Sequence, residues 1–293
     1  MEEKFVELHN EHVKVKASSK GAELHSVQLD GEEYIWTGDK KYWGRHTPVL
    51  FPFVGRLYKD QYTVHGKEYS MARHGFCQNA MFEVAGADDT HVVFELTDSE
   101  ETRKVFPFRF SFKVCYELTG QTVNVSYVVE NRSLEEMYFG LGAHPGFLCP
   151  LEEGLSFSDY VIEFPDACRP DQIGWSESVL VTGQSTPYAL VDDKRLPLSH
   201  DLFTFDAIVL NHSGTSCRLC SDKGTRAVTV SYPQMPYVGF WHMPNTDAPY
   251  ICVEPWVSLP AREGVVEEFA ARRDLVHLGA GETYTCTWTI TVE

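Results

Sequence analysis

Four short words in this chain collect side chains that can move protons or hold polar groups: Phe51-Pro-Phe-Val-Gly-Arg56, Arg73-His-Gly-Phe76, Gly142-Ala-His-Pro-Gly-Phe147 and Val253-Glu-Pro-Trp256. A carboxylate and a histidine suit general base and general acid work, because the histidine can give and regain a proton near neutrality. Glu254 follows the apolar run Tyr250-Ile-Cys-Val253 and precedes Pro255, which places it where a buried strand ends and the chain turns. A carboxylate there needs a partner, and an arginine paired with an edge glutamate would serve as well as catalysis. His144 is flanked by glycines and by Pro145, so its backbone is irregular and can bring a side chain close to a ligand, or simply form a turn.

Arg56 offers a fork of donors that fits adjacent hydroxyls or a carboxylate. His74 can be a core histidine or a ligand contact. Asp206 stands alone in the apolar stretch Leu202 to Leu210, which is costly unless the acid is paired or faces a ligand. Trp241, Trp256 and Phe76 have flat faces for stacking on a ring, though aromatics at strand spacing are core residues as a rule.

The elements that must position these groups read as strands. Phe110, Phe112, Val114, Tyr116 and Leu118 alternate up to Thr119-Gly120, and Val123, Val125, Tyr127 and Val129 alternate after it, which predicts a β-hairpin. Further hairpins turn at Asp30-Gly31, at His65-Gly66 and near Lys223-Gly224. Tyr284 to Val292 alternates with threonines and predicts a half-buried last strand. Only Asp98 to Val105 carries helix signals, with a capping residue, early acids and late bases. Ala167 to Pro197 and Tyr232 to Pro260 are proline-rich and read as long loops at one end of the sheets. No repeat, linker or change of composition divides the chain, so residues 1–293 are expected to form one all-β domain.

Composition narrows the partners. With 25 basic against 42 acidic residues the formal charge is −17, which opposes nucleic acid and anionic membranes. No signal-like start and no apolar run of about 18 residues is present, so a cytoplasmic protein is expected, with its eight cysteines reduced. Cys217-Arg-Leu-Cys220 lacks a second pair, and metal-ligand histidine spacings, phosphate-binding glycine loops and G-x-S-x-G are all missing.

Taken together in order and spacing, the four words resemble the aldose 1-epimerase (galactose mutarotase) family, in its LacX-like branch. The likeness runs from about Asn10 to Val292, with Gly279-Ala280-Gly281 and Cys77 as departures. It implies a β-supersandwich of large twisted antiparallel sheets with few short helices, binding an aldohexose such as galactose or glucose in an open cleft. By resemblance Glu254 is the base that deprotonates the C1 hydroxyl and His144 the acid that protonates the ring oxygen, while Arg56, His74, Asp206 and Trp241 hold the sugar. No cofactor or metal is implied, since the reaction is proton transfer alone, and a monomer or homodimer is expected. Rival readings are a two-carboxylate glycoside hydrolase, a non-catalytic sugar-binding or sensing protein, and a mutarotase of a hexose phosphate, for which Arg45, Arg73 or Lys59 would supply charge.

Overall fold

The alternating segments become strands, and the strands assemble into two large antiparallel sheets. In the computed structural model, which describes residues 2–293, Phe110–Thr119 pairs with Thr122–Asn131 from Phe110 opposite Asn131 to Thr119 opposite Thr122. Thr283–Val292 lies on the other side of Thr122–Asn131 and also pairs with Val228–Ser231, so the last strand of the chain is interior to its sheet. Its residues Cys286, Trp288, Ile290 and Val292 are buried and the threonines between them are half-exposed, because successive side chains leave a strand on opposite faces. This sheet has nine strands, from Arg195–Pro197 at one edge to Glu83–Ala87 at the other.

The second large sheet runs from Val181–Pro187 through Asp171–Trp175, Ile208–Asn211, Tyr237–Trp241 and Tyr250–Trp256 to Gly142–Ala143 and Val49–Leu50. Val125 and Ile290 of the first sheet and Val238, Phe240, Ile251 and Val253 of the second belong to one buried cluster, so the two inner faces share a core. A four-stranded sheet spans Phe5–His9 to Glu32–Glu33. Among the described residues the one α-helix is Glu100–Val105, where Ser99 and Thr102 cap each other reciprocally. No helix among them is long and apolar enough to cross a membrane.

The hairpins form at the predicted turns: Leu29 pairs with Glu32, Val64 with Lys67 and Leu219 with Val228. The proline-rich stretches are not long loops. Ala167 to Pro197 contains a hairpin and an edge strand, and Tyr232 to Pro260 supplies two central strands of the second sheet. Pro187 and Pro197 end strands at sheet edges, where a missing N–H breaks no ladder, and Pro236 and Pro249 immediately precede their strands.

Candidate active site

The site is built on the face of the second sheet turned away from the shared core. Along Tyr250–Trp256, Ile251 and Val253 enter that core, while Tyr250, Cys252, Glu254 and Trp256 point to the other side. Trp241 is paired with Cys252 and Gly239 with Glu254, so Trp241 shares this face. On the opposite flank Gly142 pairs with Trp256 and Gly146 with Cys252. The register is the same on both sides of the gap, which sets His144 directly across from Glu254.

Sequence reasoning placed the end of the strand before Glu254, yet the strand continues to Trp256. Val253 and Val257 donate to the carbonyls of Pro145 and Leu141 on this flank. Pro255, midway between them, has no N–H to give, and the facing strand is itself interrupted at His144-Pro145. The two prolines thus share one gap in the ladder, and the gap frees the histidine and the glutamate from ordinary sheet geometry.

His144 Nε2 lies 3.3 Å from Glu254 Oε2, and the two residues are only 8% and 2% exposed. The partner of Glu254 is this histidine, not an arginine. Burial raises the Glu254 carboxyl well above its ordinary range, with Asp206 adding to the rise and the Trp256 indole opposing it. Burial lowers His144 to about 3. Both directions favour neutral groups, so at neutral pH the pair holds one titratable proton between its two members. Trp43 stacks on the imidazole at 4.9 Å between centroids and 27° between planes, and Trp241 meets it edge-on at 5.6 Å. The buried Nδ1 of His144 has no hydrogen-bond partner.

The second wall comes from two loops clamped together. Gly75 has φ +73°, and a Cβ there would sit 2.2 Å from the Phe51 carbonyl oxygen, so only glycine permits this approach. Phe76 and Cys77 donate their N–H groups to that same oxygen. His74 donates its N–H to the Gly55 carbonyl and accepts the Gly55 N–H at Nδ1, at 3.1 Å. An Nδ1 that accepts carries no hydrogen, so neutral His74 presents Nε2–H as a donor. Burial first, then His144 and Arg56, lower its pKa to about 3 and keep it neutral.

Glu254, His144, Arg56, His74, Asp206 and Trp241 all line one cavity of about 450 Å³, within the range of small-ligand sites. Asp206 precedes the strand Ile208–Asn211 and accepts the Ala207 N–H; burial raises its pKa, against the pull of that N–H and of Arg56 and Trp241. Trp256 lines the cavity too, whereas Phe76 packs with Phe51, Phe106 and Phe110 beneath it. Of the three cations considered for a phosphate, Arg45 and Arg73 line the cavity, and Lys59 lies over the Tyr58 ring elsewhere. Sequence reasoning missed Trp43, Trp175 and Met243. Trp43 had a readable signal, an aromatic before Gly44 in an irregular stretch leading into the first motif.

Two groups of donor atoms lie within 4.8 Å of one another, His144 with Cys252 and Glu254, and Glu23 with His25 and His46. The first is the pair already described, with a thiol that burial keeps protonated. In the second the imidazoles stack at 4.0 Å and 22°, so their lone pairs run side by side, and Arg45 lies 3.7 Å from the carboxylate.

Comparison with known proteins gives a consistent result. A profile of the family described as Aldose 1-epimerase matches residues 4–291. Protein LacX (plasmid) of Lactococcus lactis subsp. lactis is 31% identical over 264 residues, 87% of this chain and 88% of its own length. A galactose mutarotase related enzyme from Lactobacillus acidophilus superposes with a TM-score of 0.93 at 34% identity, covering 99% of this chain and 97% of that one. A galactose mutarotase-like protein from Lactobacillus casei gives 0.93 at 31% identity over 99% of this chain and all of its own.

Proposed function

Because the chain belongs to the aldose 1-epimerase family, we propose that it is a mutarotase interconverting the α and β anomers of an aldohexose by ring opening and reclosure. The resting carboxyl of Glu254 first passes its proton to His144 across their 3.3 Å contact, and the carboxylate so formed takes the proton of the C1 hydroxyl while the freed electron pair forms the C1 carbonyl. The bond from C1 to the ring oxygen breaks, and His144, as imidazolium, protonates that oxygen. Rotation about C1–C2 turns the other carbonyl face to the C5 hydroxyl. Reclosure returns one proton to His144 and one to the new C1 hydroxyl.

The observation that carries this reading is the 3.3 Å contact between His144 Nε2 and Glu254 Oε2 within the cavity. The two oxygens that exchange protons are bonded to the same carbon, so base and acid must stand side by side. A two-carboxylate hydrolase would instead use a second carboxyl as its acid, whereas the group in contact with Glu254 is the His144 imidazole. The proton count agrees: carboxylate with imidazolium before opening, and carboxyl with imidazole after it, each hold one proton, as the buried pair does.

His74, with Nε2–H fixed as donor, supports the ring-oxygen end; Arg56 and Asp206 bind hydroxyls, and Trp241 packs on the sugar. The reading of residues 1–293 as one domain belongs to the same proposal and is supported by the core cluster that extends from Leu8 to Val292. The test is proton exchange NMR of α-D-glucose and α-D-galactose with wild type and His144→Gln. Wild type speeds anomer exchange, and the variant loses about two to four decades of rate; equal rates for the two would reject the assignment.

A further inference from the structure

The charge of the cleft is opposite to that of the chain. The protein carries −17 overall, yet Arg45, Arg56 and Arg73 line the cavity against Asp206 and Glu254 as its only acids among the described residues. Even with the Glu23 carboxylate 3.7 Å from Arg45 counted, and with the Glu254–His144 pair neutral as a unit, three guanidinium groups stand against two carboxylates, so the cleft is locally positive in a negative molecule, a contrast that steers anions inward. Most of the other arginines are tied to carboxylates, as Arg195 is to Glu163 and Asp222. Among the described residues the side chains of Arg56 and Arg73 make no ion pair or hydrogen bond.

Position separates the two free arginines. Arg56 acts on both His74 and Asp206, which places it among the groups that meet the sugar ring. Arg73, exposed as Arg56 is, precedes His74, whose imidazole meets His144 edge-on at 5.7 Å. The Arg73 carbonyl is held by Gln78 Nε2, and Arg45 donates to the Gln78 carbonyl and to Asn79 Oδ1. Arg45 and Arg73 therefore flank one residue, Gln78, at the His74 side of the cavity.

We infer that this site takes an aldohexose bearing a phosphate ester on C6, with the phosphate held by Arg73 and Arg45. The inference rests on the mutarotase reading and names its substrate class. A phosphate on C1 would block the hydroxyl that must lose its proton. C6 branches from C5, which bears the ring oxygen, so a 6-phosphate projects from the ring at the end assigned to His74. The free guanidinium fork of Arg73 matches phosphate oxygens in pairs, and Arg45, anchored by Gln78 and Asn79, adds a fixed positive charge beside it, an arrangement that suits a dianion better than a neutral hydroxymethyl group.

The test compares enzyme-dependent anomer exchange, after subtraction of the spontaneous rate, for glucose 6-phosphate, galactose 6-phosphate, glucuronate and the two unphosphorylated hexoses. At least one 6-phosphate is expected to exceed its parent sugar in kcat/KM by about 10- to 100-fold. Arg73→Gln should bring that ratio down toward one through KM, with kcat moving less. Neutral hexoses turned over as well as their 6-phosphates, glucuronate preferred over glucose 6-phosphate, or an unchanged ratio in Arg73→Gln would each overturn the inference while leaving the mutarotase reading intact. No acceleration of any of the five would reject both.

Discussion

Replacing Gly75 by alanine tests whether the site depends on one backbone contact beneath it. An alanine held at φ +73° costs about 1 kcal/mol. Its Cβ would also lie 2.2 Å from the Phe51 oxygen, well inside the 3.0 Å below which such contacts do not occur. The loop must move away, and the bonds from the Phe76 and Cys77 N–H groups to that oxygen, 3.2 and 3.3 Å long, are lost or stretched. At about 1 kcal/mol each, the total is about 3 kcal/mol, a large share of the 5 to 15 kcal/mol typical of a domain. Gly31→Ala is the control: φ is +91° with nothing within 4 Å of the added carbon, so only the conformational cost of about 1 kcal/mol applies. Urea unfolding followed by tryptophan fluorescence should place Gly75→Ala about 2 kcal/mol below Gly31→Ala. Anomer exchange should fall in Gly75→Ala alone, because Arg73 and His74 ride on the displaced loop. Equal unfolding free energies, or full activity in Gly75→Ala, would refute the reasoning.

His74 should make the protein acid-sensitive. Its folded pKa is near 3 against 6.5 for the exposed side chain, so the unfolded chain binds a proton that the folded one refuses, and stability present above pH 6.5 is lost as the pH falls toward 3. At pH 5 this amounts to at most about 2 kcal/mol, and His74→Gln should show a shallower loss of stability between pH 7 and 5 in urea titrations. The Glu254–His144 pair adds little slope below about pH 6, where it holds one proton folded and, as carboxylate and imidazolium, one proton unfolded; above pH 6.5 the unfolded imidazolium gives up its proton and the pair's contribution falls as the pH rises. A large change of slope between pH 6 and 5 in Glu254→Gln/His144→Gln would contradict that count. Trp43→Ala should admit water to the face of His144, raise its pKa from about 3 toward 6.5 and lower kcat by about tenfold, which an NMR titration of the imidazole and a rate measurement can check.

Much of the fold was legible because its strands alternate strictly. Phe110 to Asn131 and Tyr284 to Val292 each have one buried face, so the period of two appears in the sequence and the pairing follows. The central strands of the second sheet were harder: the apolar run Tyr250 to Val253 reads as a buried strand, but Pro255 reads as its end, whereas the strand continues to Trp256. His144 and Glu254 could be named from their motifs. Their relation could not, because it depends on a shared register across an interrupted ladder, which only pairing reveals. Trp43 escaped for the opposite reason: an aromatic in a loop has no periodicity, and its role comes from stacking on a residue 101 positions away.

The most direct measurement is anomer exchange with Glu254→Gln beside wild type, together with sugar binding followed by NMR. The amide keeps the size of a carboxyl that is protonated in the resting pair, so folding and binding should persist. The account predicts sugar affinity within about threefold of wild type and kcat lower by about two to four decades. Turnover at the wild-type rate would contradict the claim that Glu254 and His144 move the two protons.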